Sequence, residues 1–194
     1  MLDINGWNID VYSLPKGNNR DKIPWIYDNL FEHEETNTAC LIYLIAEVRM
    51  GWCIGFMAVY ENKENPKLVF NTTSINFSGS KDAVSFNKSG EFIFAKACLY
   101  SARDNRLECP ILVFNLKDGK FSFLSIVNGI HYSIEEIDSI NFRLKDNYFD
   151  NRFKSRDGEI IKINEMKFYK LEDIDTLRDI YFEKGFFRKI FAKK

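Results

Sequence analysis

The side chains able to do chemistry are few and scattered. His33 and His131 are the only histidines, which leaves acid-base schemes and zinc sites built on several imidazoles little to work with. His33-Glu34-Glu35 offers ligand-type atoms, but adjacent residues on an extended strand point to opposite faces, and no second histidine stands at a zinc-motif spacing. The sharpest catalytic pattern is Asp157 followed by Glu165-Met166-Lys167. It looks like the arrangement in which carboxylates hold a divalent ion and a lysine assists phosphodiester hydrolysis, so a metal-dependent nuclease is the enzyme alternative. Against it, Asp157 shares a turn position with Asp118, and a second Glu-x-Lys triplet stands at Glu61-Asn62-Lys63. No G-x-S-x-G elbow or G-x-x-x-x-G-K-[ST] phosphate loop is present. The expectation is a chain with no catalytic residues, no cofactor and no metal.

A different kind of site is suggested by charge. Between Tyr27 and Val48 the chain carries Asp28, Glu32, Glu34, Glu35 and Glu47 with neither Lys nor Arg. Carboxylates so close in sequence repel one another and favour a solvated loop, yet the same field attracts a basic partner and speeds association. Trp25, Tyr27 and Phe31 stand beside them and supply the aromatic anchors that an interface needs. The expected partner-binding residues are therefore Trp25, Tyr27, Asp28, Phe31, Glu32, Glu34 and Glu35. Nucleic acid is not the expected partner, because 27 basic residues against 28 acidic ones leave no overall cationic excess to release counterions.

These residues must be carried by a β-rich framework. From Ala39 onward, CLIYLIAEV, WCIGFMAVY and KLVFNTTSINF read as a three-strand meander, and FNKSGEFIFAKACLYS, PILVF and KFSFLSI as a second. Phe114 to Ile140 then lines up with Phe153 to Leu177, each running an aromatic, a basic-Asp-Gly turn, an alternating apolar stretch, a Tyr and an acidic segment. Such self-similarity signals stacked supersecondary units. Three related hairpins follow, with turns at Glu64-Asn65, Asp118-Gly119 and Asp157-Gly158, in a strand-turn-strand style similar to a propeller blade. The fold class expected is mainly β, with antiparallel meander repeats in a twisted sheet or a partial propeller-like assembly.

The ends differ. Met1 to Leu30 is turn-rich, with short strands expected around Trp7 to Tyr12 and a brief helix near Trp25 to Phe31. Ile174, Leu177, Ile180 and Tyr181 recur at helical spacing, followed by Gly185 and a basic tail to Lys194. One domain spanning 1–194 is expected: an N-terminal segment (1–38), the meanders (39–170), then helix and tail (171–194). The acidic clusters Glu135-Glu136-Asp138 and Glu172-Asp173-Asp175 are expected to mark a shared turn or helix start.

Glu47, Arg49 and Gly51 interrupt the longest apolar stretch, and each charge would cost about 2.5 to 3.5 kcal/mol at a bilayer centre. Two strands fit that stretch better than a membrane span. The N-terminus shows no cationic-then-apolar export pattern, and Cys40, Cys53, Cys98 and Cys109 have no C-x-x-C spacing. Reduced, buried thiols in a cytoplasmic protein are expected, with a disulfide pair as the alternative.

A mostly β chain without a catalytic constellation, bearing acidic surface and interspersed aromatics, resembles in overall character the immunity proteins that bacteria make alongside contact-dependent and other polymorphic toxins. That resemblance implies stoichiometric neutralisation of a cognate toxin domain, the acidic and aromatic surface covering a basic active face. A repeat-type scaffold or regulatory module is a third reading. Oligomeric state is left open, since exposed sheet edges could pair or be covered.

Overall fold

The computed structural model describes residues 2–15, 29–49, 52–101, 106–126, 129–148 and 155–182. The strands of the first half are β1 (Leu2–Ile4), β2 (Trp7–Ile9), β3 (Leu30–His33), β4 (Thr38–Arg49), β5 (Trp52–Glu61), β6 (Lys67–Ser78) and β7 (Val84–Phe86). Those of the second half are β8 (Phe92–Ser101), β9 (Arg106–Glu108), β10 (Ile111–Asn115), β11 (Lys120–Leu124), β12 (Tyr132–Glu136), β13 (Asn141–Asp146), β14 (Ile160–Lys162) and β15 (Tyr169–Lys170). All pairings among them are antiparallel. The mainly β fold is as expected, with both meanders in place.

One large sheet runs β15-β11-β10-β8-β6-β5-β4-β3, with β7 and β9 also pairing with β8. Its strands form a continuous ladder rather than successive blades, so the sheet is found and the propeller-like assembly is not. Period-two alternation sends its side chains to different cores. Cys40 and Ile42 of β4, Ile93 and Ala95 of β8, and Leu112 and Phe114 of β10 build the main core on one face. The intervening Ala39, Leu41 and Tyr43 of β4 are covered on the other face by Ile4, Trp7, Ile9, Val11 and Leu14 of the N-terminal segment. Phe92, Phe94, Ile111 and Val113 are likewise covered by Tyr132, Phe142, Leu144 and Ile161 from the small sheet β12-β13-β14 and by Ile163 just after it. Both faces of the central strands are thus dry, which is why they read as nearly unbroken apolar runs.

The internal repeat is real in element order and exchanged in pairing. Each copy opens on a glycine of positive φ, Gly119 at 61° and Gly158 at 77°, where a side chain would be strained. A strand (β11, β14), a 3-10 turn (Gly129–His131, Ile163–Glu165) and a second strand (β12, β15) follow in each. β12 pairs with β13, which pairs with β14, whereas β15 crosses to β11. The second strand of each copy therefore joins the sheet that holds the first strand of the other.

Their acidic ends diverge. Glu135 and Glu136 lie in β12, and Asp138 forms a turn by accepting the Ile140 and Asn141 backbone N–H groups at 3.0 and 2.9 Å. Glu172, Asp173 and Asp175 instead lie in a 3-10 helix, Leu171–Thr176, which runs into α-helical residues 177–182. The expectation of one shared local structure is corrected by burial: Ile174 and Leu177 enter the main core, whereas Ile137 and Ile140 stay exposed. The Ser74 hydroxyl donates to Asp175 and ties this C-terminal helix to β6. Gly185 and the basic tail lie outside the described residues. So does most of the expected brief helix, and its end at Phe31 is corrected, since Leu30–His33 is a strand paired with β4.

Candidate partner-binding surface

Three turns meet at one rim of the large sheet. The β3–β4 turn closes with the Asn37 N–H donating to the Glu34 carbonyl at 3.0 Å and with Asn37 at φ 52°. Asn37 also accepts from the β5–β6 turn, Asn62 N–H reaching its carbonyl and Lys63 N–H its side-chain Oδ1, both at 2.9 Å. The third turn precedes β8 and is fixed by the Phe92 N–H donating to Asn87 Oδ1 at 2.8 Å. His33 joins it to the first: Nδ1 lies 2.9 Å from Thr36 Oγ1, Nε2 lies 3.2 Å from the Lys88 carbonyl, and the ring packs on Phe86. Gly90 sits so close that a Cβ there would lie 2.4 Å from Thr36 Cγ2. Both ring nitrogens of His33 are used in holding the rim, which makes it a structural residue.

Glu34 and Glu35 project from this braced turn, are exposed, and have no ion-pair partner among the described residues. Glu64 and Glu91 on the adjoining turns are exposed as well, with Lys88 as the neighbouring cation. Glu32, by contrast, is half-buried on β3 and paired with Lys63 at 2.9 Å. The acidic stretch expected to be uncompensated is therefore compensated at that position, by a lysine from a hairpin thirty-one residues away. Phe31 packs against the main core rather than standing outward. Trp25, Tyr27 and Asp28 lie outside the described residues. Of the four expected contact residues that are described, Glu34 and Glu35 are exposed.

The residues of the nuclease pattern are each engaged separately. Asp157 Oδ1 accepts the Asp146 backbone N–H at 2.8 Å, a turn-forming role. Glu165 pairs with Lys162 at 2.9 Å, and the Lys167 ammonium sits 5.2 Å from the centre of the Tyr169 ring. Among the described residues no three His, Cys, Asp or Glu side chains are grouped to hold a metal ion.

One polar feature escaped the sequence reading. Lys96 lies on β8 among Phe92, Phe94 and Cys98, and only 5% of it is exposed. Its ammonium donates to the Asp82 carboxylate and, at 3.1 Å, to the Ile130 carbonyl. Partial burial pushes the Asp82 carboxyl upward, but hydrogen bonds from Lys96 and Ser80 outweigh it and hold the group below the usual carboxylate range. A cleft of about 100 Å³ opens beside the pair, walled by Val84, Phe94 and Ile134. The visible signal was a lone charge inside the apolar run FIFAKACLY. No helix among the described residues is long and apolar enough to cross a membrane. Comparison with protein-family models, curated proteins and solved structures finds no match for the chain.

Proposed function

We propose that the chain is a non-catalytic protein-binding protein of the immunity type, which neutralises a cognate bacterial toxin by covering its basic active or substrate-binding face. The supporting observation is the pair of exposed carboxylates Glu34 and Glu35, without an ion-pair partner among the described residues, on a turn braced by two neighbouring turns. A surface held in one shape loses little entropy on docking, so charge matching converts efficiently into association rate and selectivity. Glu64 and Glu91 extend the same acidic rim. In this reading the protein acts in the cytoplasm of the producing cell and performs no reaction.

Affinity capture from that cell, followed by co-expression with the captured toxin, tests the proposal. A one-to-one complex and restored growth are expected, with both weakened in an E34K/E35K variant. Metal-dependent cleavage of nucleic acid by the isolated chain, lost in an E165A/K167A variant, would replace this reading with the nuclease one.

A further inference from the structure

β9 and β10 pair with successive stretches of β8. Lys96 faces Ile111 and Leu99 faces Glu108 in the same antiparallel register, which places Cys98 directly opposite Cys109. The Ala97 N–H donates to the Pro110 carbonyl at 2.9 Å, so that neighbouring pair is the hydrogen-bonded one. Cys98 and Cys109 consequently occupy a non-hydrogen-bonded position, where facing Cα atoms stand about 4.5 Å apart and side chains lie closest. That spacing falls inside the range of roughly 4.4 to 6.8 Å that a disulfide spans without backbone movement. The two thiols are hydrogen-bonded to each other and unoxidised, and they are 4% and 3% exposed.

We propose that Cys98 and Cys109 are an oxidative modification site, a thiol pair that hydrogen peroxide converts to a cross-strand disulfide joining β8 to the link between β9 and β10. The two thiols share one hydrogen bond, so a thiolate formed at either sulfur is held by the S–H of the other. That thiolate takes an oxygen from peroxide, leaving a sulfenic acid and hydroxide. The partner sulfur then attacks the sulfenic sulfur, the S–S bond forms, and the oxygen departs as water with the partner's proton. Two thiols and one peroxide thus give one disulfide and two waters, the two electrons passing from sulfur to oxygen.

Cys40 is an internal contrast, since it is fully buried, faces the main core and has its thiol pushed far up by desolvation. The Cys98–Cys109 pair also adjoins a structural seat, because the Cys109 carbonyl accepts the Gly129 N–H at 2.8 Å. A link there stiffens the strand on which the turn before β12 rests.

The test treats the full-length protein with hydrogen peroxide, alkylates remaining thiols after denaturation, and maps peptides without reduction. A peptide pair joined through Cys98 and Cys109, lighter by two hydrogens and separated again by dithiothreitol, is expected, with Cys40 alkylated. In a C98S variant Cys109 should stay alkylatable. Wild-type mapping decides the matter even if that variant folds poorly. Two alkylated cysteines at 98 and 109 after treatment, irreversible sulfinate at Cys98 in place of the link, or a bridge to Cys40 or Cys53 would each overturn the proposal.

Discussion

Lys63, at the tip of one hairpin, places its ammonium 2.9 Å from the carboxylate of Glu32 on the edge strand β3. The pair sets Glu32, spent on structure, apart from the exposed Glu34 and Glu35. The side chains of Lys63 and Glu32 are 40% and 20% exposed, so solvent screens the pair and its contribution is below about 1 kcal/mol. E32Q should lower stability in urea titration by about 0.5 kcal/mol and leave partner affinity unchanged. E34K/E35K should do the reverse, leaving stability within about 0.5 kcal/mol of wild type while weakening the complex about tenfold by calorimetry. Equal affinity for the reversed protein would remove the contact assignment.

Asp82 and Lys96 should respond unequally to mutation. D82N removes the counter-charge of a buried ammonium but keeps an amide oxygen for it to donate to, and should cost about 1 kcal/mol, whereas K96M removes the buried charge itself and should cost less. Chemical denaturation of both variants checks the order. If K96M proves the more damaging, Lys96 contributes more than a satisfied charge.

The same carboxyl gives stability a pH dependence of known sign. Its folded-state value is depressed, so its contribution is present above the unfolded carboxylate range near pH ~4 and is lost as pH falls through the folded value. Because the Asp82 side chain is 57% exposed, the amplitude should be under about 1 kcal/mol. Denaturation midpoints collected from neutral to acid pH should fall less steeply below pH ~4 for D82N than for wild type.

Gly129 and Gly119 provide a matched pair. A Cβ at Gly129 would lie 2.1 Å from the Cys109 carbonyl oxygen, a backbone atom that cannot swing aside. G129A should therefore cost about 3 kcal/mol or more. A Cβ at Gly119 meets nothing within 4 Å, leaving only the penalty of its positive φ, about 1 to 2 kcal/mol. Thermal unfolding of the two variants should separate them clearly.

Phe142 holds the small sheet to the large one, its ring 4.8 Å from that of Phe94 and 1% of the residue exposed. F142A should cost about 3 to 5 kcal/mol through the cavity it leaves. Hydrogen exchange should show protection lost first in β12 to β14 and retained in β4 to β6. Uniform loss across both sheets would mean that the two cores open as one unit.

Local patterns carried the strands and turns. The unbroken apolar, strand-length run Ala39 to Tyr43, the Asp-Gly at 118–119 and the spacing of Ile174, Leu177 and Tyr181 each express a preference decided within a few residues. The candidate surface was legible as charge, since a run of acids without cations is visible in the chain alone. Which acids stay free was not, because Lys63 answers Glu32 only when two hairpins lie side by side.

The amino-acid order by itself determined that this chain is mainly β, that hairpins turn at 64–65 and 118–119 and that a helix follows the last strand, since backbone geometry and side-chain periodicity act over short range; Asp157-Gly158 lies instead in the longer connection between β13 and β14. Tertiary structure alone decided that β12 and β15 exchange places between the repeats, that one acidic segment coils while the other stays extended, and that Cys98 meets Cys109. Those outcomes depend on which apolar faces bury one another across distant stretches of chain, and the energy of that burial exceeds the weak local preferences it overrides.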